Sequence, residues 1–82
     1  MSARAYVLLD IDDTKVKEAA NMLRNMRGVR AVDMLEGSSN LVIVVQARSR
    51  QRLAEITNQA LASVESMTEN MQLLPVQSNG GI

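Results

Sequence analysis

Four residues within a five-residue stretch near the start of the chain could do chemistry. Asp10-Ile11-Asp12-Asp13-Thr14 follows the apolar run Ala5-Tyr6-Val7-Leu8-Leu9. A D-x-D-x-T spacing at the end of a strand suits phosphoryl transfer. One aspartate attacks phosphorus and the next handles the leaving-group proton. That chemistry also needs a lysine, further carboxylates for magnesium and a doubly wound sheet. At 82 residues, about half of one ordinary domain, the chain has no room for such a sheet. The same residues make a good helix start, with capping side chains and acidic groups favoured by the helix dipole. The cap reading is the better one.

Other candidates weaken in the same way. Arg48, Arg50 and Arg52 surround a helix start, where an anion could bind. Cations oppose the dipole there and alternate residues diverge on a helix, so a solvated face or an intersubunit salt bridge fits better. Of the six methionines, Met22, Met26, Met34, Met67 and Met71 are scattered over different elements. That suits core filling rather than a soft-metal site. Gly37-Ser38-Ser39-Asn40 offers small residues, backbone N–H groups and an amide. It can hold a small polar ligand, or serve only as a hairpin turn.

Composition narrows the field further. There is no cysteine and no histidine, which removes disulfides, thiolate or imidazole metal sites, and Cys- or His-based catalysis. No cofactor is called for. Nine basic and nine acidic residues cancel, leaving no net charge to gather nucleic acid. Hydrophobic residues make up 46% of the chain, too many for disorder. Tyr6 is the only aromatic residue, so the core is aliphatic. The apolar runs at Ala5–Leu9 and Leu41–Val45 are too short for a leader or a membrane span. A cytoplasmic location without membrane contact is the expectation.

The elements that position these residues read clearly. Tyr6–Ile11 is a strand, apolar on both faces. Val16, Ala19, Ala20, Leu23 and Met26 form a helical stripe that Gly28 ends. Val29–Leu35 is a weaker strand, followed by the turn at residues 36–40. Leu41–Ala47 is the most β-prone segment, again apolar on both faces. Ser49 caps a second helix with the stripe Leu53, Ile56, Ala60, Leu61 and Val64. Met71–Val76 is a last strand, placed at an edge by Pro75. Residues 77–82 read as a flexible tail beyond a single domain of residues 1–76.

The order β-α-β-β-α-β predicts an α+β, ferredoxin-like fold. Its antiparallel sheet runs in the order 4-1-3-2, with two helices on one face. Strands one and three are then central. Two helices cover one face, so the other leaves apolar side chains bare and predicts an association surface. A dimer, sheet against sheet or edge to edge, follows.

The complete pattern resembles the effector-binding domain of the Lrp/AsnC family, also called the RAM domain. The resemblance covers residues 3–76. It rests on Ala5-Tyr6-Val7-Leu8-Leu9, Arg27-Gly28-Val29-Arg30-Ala31-Val32, Glu36-Gly37-Ser38-Ser39-Asn40-Leu41-Val42 and Thr68-Glu69-Asn70-Met71. It implies sheet-paired homodimers, rings of dimers, and an amino acid or related effector bound near the hairpin. By position, it implies a ligand site of Gly37, Ser38, Ser39, Asn40 and Thr68. The family commonly has Asp where this chain has Asn40, and an amide offers an ammonium group only a neutral hydrogen bond. Family members also carry a helix-turn-helix ahead of this domain. This chain reads as a stand-alone form that acts without direct DNA contact, through ligand-linked assembly or hetero-oligomers with full-length regulators. The rival readings are a structural oligomerisation module without ligand, and an enzyme of the dimeric α+β barrel type. The enzyme reading lacks suitable side chains.

Overall fold

A computed structural model describes residues 2–35, 37 and 40–74. Four strands and two helices alternate as the sequence predicts. Strand β1 spans Ala3–Ile11, helix α1 Val16–Arg24, β2 Val29–Met34, β3 Asn40–Ala47, helix α2 Arg50–Ser63 and β4 Thr68–Leu74. The sheet is antiparallel in the order β2-β3-β1-β4. This is the ferredoxin-like arrangement, with β1 and β3 central. The edge position expected for the last strand holds for β4, while Pro75 and the tail lie outside the described residues.

Alternation along the central strands sorts the two faces. Val7, Leu9 and Ile11 of β1 and Leu41, Ile43 and Val45 of β3 are fully buried beneath the helices. Burying each such side chain contributes roughly 1.5–3 kcal/mol. Helix α1 packs mainly against β2, and α2 against β3 and β1. Both predicted stripes face inward. Ala19, Ala20 and Leu23 are buried on α1, with Val16 and Met26 packed beside them. Ile56, Ala60 and Val64 are buried at α2 and its C-terminal end, flanked by Leu53 and Leu61. Met67 joins the core, as a gap-filling methionine should.

The helix starts follow local chemistry. Thr14 N–H and Thr14 Oγ1 both donate to Asp12 Oδ1, at 2.9 and 2.8 Å. A 3₁₀ turn over Asp13–Lys15 then feeds α1. Ser49 Oγ accepts from Arg52 N–H at 3.1 Å and caps α2. The chain re-enters the sheet earlier than the sequence suggests. A second 3₁₀ turn over Glu65–Met67 lets Asp12 N–H donate to Met67 O at 2.9 Å, and β4 begins at Thr68 rather than Met71.

Gly28 is required twice over. Its φ is +88°, and a Cβ there would stand 2.7 Å from Ile56 Cγ2. The Gly28→Ala variant is expected to lose about 2–4 kcal/mol in denaturant unfolding, combining left-handed backbone strain with overpacking. Thr57 is the converse case. It is buried on α2, and its Oγ1 has no hydrogen-bond partner. Thr57→Val is expected to stabilise by about 1 kcal/mol, because it removes a desolvated hydroxyl and keeps the shape. A loss of stability would show that the hydroxyl is satisfied in solution.

Candidate functional site

The sheet face away from the helices is built in rows across the strands. Arg4 of β1 pairs in register with Gln46 of β3. Next, Tyr6 lies beside Val44 and Leu74, with Ala31 beyond Val44. Leu8 follows, beside Val42 and Gln72, with Asp33 beyond Val42. The last row is Asp10 between Asn40 and Asn70. Tyr6, Leu8, Val42 and Val44 are only partly buried within the chain. The face is thus apolar in its middle rows and polar at both ends.

The hairpin joins this face at the Asp10 end. Leu35 N–H donates to Asn40 O at 3.0 Å and closes the turn. Gly37 adopts φ +80° in that turn, and nothing lies within 4 Å of where its Cβ would stand. Ser38 and Ser39 lie outside the described residues. Asn40 opens β3 and lines a hollow of about 140 Å³ with Leu8, Asp10, Asn70, Met71 and Gln72. One carboxylate and three amides therefore surround a small space at the rim of an apolar face.

Thr68 stands elsewhere. A register shift between Asp10 and Ile11 pairs Asp10 with Asn70 but Ile11 with Thr68. Thr68 therefore turns to the helix side, where its Oγ1 donates to Val64 O at 2.7 Å. It lines a larger hollow, about 440 Å³, between α2 and β4, beside Asn58, Leu61, Glu65 and Met71. Asn70 and Met71 line both hollows, one on each side of the edge strand. The structure thus brings Asn40 together with Asp10 and Asn70, and places Thr68 on the opposite face. The nearness of Asp10 to Asn40 depends on strand register: the pairing that sets Tyr6 beside Val44 aligns the two.

The other chemical candidates resolve into structure. Asp12 is a cap, and its carboxyl is held below the ordinary range by the Thr14 backbone hydrogen bond, then the Thr14 hydroxyl and the Lys15 charge. Arg52 pairs with Glu55 at 2.8 Å on the exposed side of α2, a surface pair of little energetic weight. Among the described residues no cluster of carboxylates suits a metal ion. Among them, too, no helix is long and apolar enough to cross a membrane.

The family model of the Lrp/AsnC ligand binding domain matches residues 4–73. The chain belongs to this family. The match takes in the central strands and the hairpin that borders the small hollow. No curated protein matches the chain. Among solved structures, the Lrp/AsnC fold seen here is similar to TTHA0845 from Thermus thermophilus. That protein has a TM-score of 0.75 at 22% identity, covering 95% of this chain and 96% of that one. A Pyrococcus furiosus transcriptional regulatory protein of the AsnC family gives 0.75 at 15% identity, covering 92% of this chain and 50% of that one. The E. coli Tat proofreading chaperone NapD gives 0.72 at 16% identity, covering 95% and 80%. These three likenesses concern the fold.

The cap reading of Asp12 has a pH signature. A lowered folded-state pKa contributes stability above the unfolded value, about 3.9. The contribution is lost as pH falls through the folded value. Asp12→Asn keeps the acceptor without the charge. Wild type is expected to melt higher than Asp12→Asn at neutral pH, and the gap to close below about pH 4. A gap that persists unchanged into acid would place the charge elsewhere.

Proposed function

We propose that this Lrp/AsnC domain acts in the cytoplasm as a sensor that binds an amino acid or similar small metabolite at the hairpin and couples binding to assembly. The observation that carries the reading is the hollow beside the hairpin. It combines Asn40, Asp10 and Asn70 at the rim of an apolar sheet face, within a domain whose family is defined by ligand binding. The proposed ligand residues of the hairpin are Gly37, Ser38, Ser39 and Asn40. Thr68 contributes indirectly. Its bond to Val64 O sets the start of β4, and so sets where Asn70 meets Asp10.

The bare face supports a homodimer through the sheets, and rings of dimers beyond it. A ligand at the rim then favours the assembly that completes its site, and binding shifts the population of assembled states. Regulation need not involve DNA contact by this domain. The Pyrococcus furiosus relative is matched over 50% of its length, so hetero-oligomers with longer AsnC regulators are part of the proposal. A purely structural oligomerisation module is the second reading. The amide at Asn40, in place of a charged acceptor for an ammonium group, favours it.

Thermal melting with each of the twenty amino acids separates the two. A ligand at a hundred times its Kd contributes about 2.7 kcal/mol, which raises the Tm of so small a domain by about 10 °C or more. At least one amino acid is expected to do this. Asn40→Ala is expected to abolish the shift, and so is Gly37→Trp, which also lowers the ligand-free Tm because the backbone there is left-handed. No shift with any amino acid, or a shift that survives both variants, would overturn ligand binding at the hairpin.

A further inference from the structure

The net charge of zero is a sum over two unlike ends of the molecule. Antiparallel pairing brings the start of β1, the start of β2 and the end of β3 together, where Ala3 pairs with Ala47 and Val29 with Val45. Arg4, Arg27, Arg30, Arg48, Arg50 and Arg52 belong to this end, six of the nine basic residues. Among the described residues Glu55 is the acid beside them, and it is paired with Arg52. Asp10, Asp12, Asp13, Glu18, Glu65 and Glu69 lie toward the opposite end, with Lys15 and Lys17. Cations gathered at one end repel one another, and an anion among them relieves the repulsion.

The arginine end contains a hollow of about 250 Å³. Ser2, Gly28, Arg30, Gln46, Ala47 and Arg48 line it, and among the described residues no carboxylate does. The backbone builds this corner firmly. Gln46 N–H donates to Gly28 O at 2.8 Å, tying the end of β3 to the turn before β2. The register then shifts between Val29 and Ala31, so Arg30 is an extra residue in β2. A bulge of this kind re-aims a side chain, and here that side chain is a guanidinium on the wall of the hollow. On the β1 side, Gln46 Oε1 accepts from Arg4 Nη2 at 3.4 Å. That long contact occupies the amide oxygen and leaves the amide N–H groups as donors.

We infer that this hollow is an anion site, separate from the hairpin, that takes the phosphate group of a small phosphate monoester. Arg30 and Arg48 offer forked donors from β2 and from the end of β3, and the Gln46 amide adds a third donor. A monoester suits this set better than a carboxylate. It carries about −1.5 to −2 charges at neutral pH on three terminal oxygens, where a carboxylate spreads one charge over two. The hollow exceeds the volume of a lone phosphate group, and Ser2, Gly28 and Ala47 keep its remaining wall small. A nucleic-acid backbone fits less well. Its diesters carry one charge each, and Tyr6, the only aromatic residue, lies in the middle of the sheet face rather than at this end.

Titration of the nitrogen-15-labelled full chain tests this, with inorganic phosphate, glycerol phosphate and acetate as probes at constant ionic strength. Both phosphates are expected to shift the Gly28, Arg30, Gln46 and Arg48 amides saturably, and acetate to bind at least about tenfold more weakly. Arg30→Gln and Arg48→Gln are each expected to weaken glycerol phosphate binding roughly tenfold. Unchanged amide signals elsewhere show that these variants are folded. Arg52→Gln removes the same charge from the same end, but from an existing ion pair, and is expected to bind like wild type. Equal weakening in Arg52→Gln would reduce the effect to general charge attraction and overturn the site. Shifts that never saturate, or acetate that binds as well as phosphate, would overturn it too. An oligonucleotide that displaces glycerol phosphate at lower concentration than phosphate does would overturn the monoester in favour of nucleic acid. None of these outcomes bears on the hairpin site.

Discussion

Two helices can shield only one face of a four-stranded sheet, and both central strands of this chain carry large apolar side chains on both faces. Everything else in the molecule accommodates that imbalance. The helix side takes Val7, Leu9, Ile11, Leu41, Ile43 and Val45 completely out of solvent. It needs close approach to do so, which Gly28 allows by leaving space for Ile56. The other side leaves Tyr6, Leu8, Val42 and Val44 partly covered and without a second layer. An apolar sheet face in water favours association, and the proposed second copy rests on that tendency.

The same constraint explains where the candidate site lies. A ligand site in the middle of the bare face would compete with association, whereas one at its rim can be completed by it. The hairpin delivers Asn40 to that rim, and antiparallel pairing sets Asp10 and Asn70 beside it. The irregularity after Asp10 then divides the two sides of β4. In a regular strand Thr68 and Asn70 would share a face. With one extra residue in β4, Asn70 stays with Asp10 while Thr68 turns in beneath Ile11. Thr68 thereby becomes a fastener for the end of α2.

Much of this is legible in the amino-acid sequence. The β-prone apolar run Leu41–Ala47, the helical stripes ending at Met26 and Val64, and the small residues at 37–40 specify element type and order. The two-sided apolar character of strands one and three places them at the centre of the sheet. Register was harder to read. A bulge leaves no compositional mark, so nothing in Thr68-Glu69-Asn70 announces that its first and third residues face opposite ways. The short turn over Glu65–Met67 was hidden for a related reason. Its local bond, Met67 N–H to Val64 O, carries no side-chain signature, and Met67 O is taken by a distant partner, Asp12 N–H. Asp12 itself shows how context settles an ambiguous motif. The spacing suited a nucleophile, but both Thr14 donors hold the carboxylate as a cap.

Membership of the Lrp/AsnC ligand-binding family and the bare sheet face are the two observations on which the proposed function rests. The central claim is that the Tyr6–Leu8 face is covered by the same face of another chain. Tyr6 is the only aromatic residue in the sequence, so its ring protons form a unique probe. The direct measurement is an isotope-filtered NOE spectrum on a mixture of carbon-13-labelled and unlabelled chains. Contacts between the Tyr6 ring of one chain and the Leu8 and Val42 methyl groups of another are the expected result. A Tyr6 ring with no intermolecular methyl contacts, at concentrations where the chain is dimeric, would contradict the account.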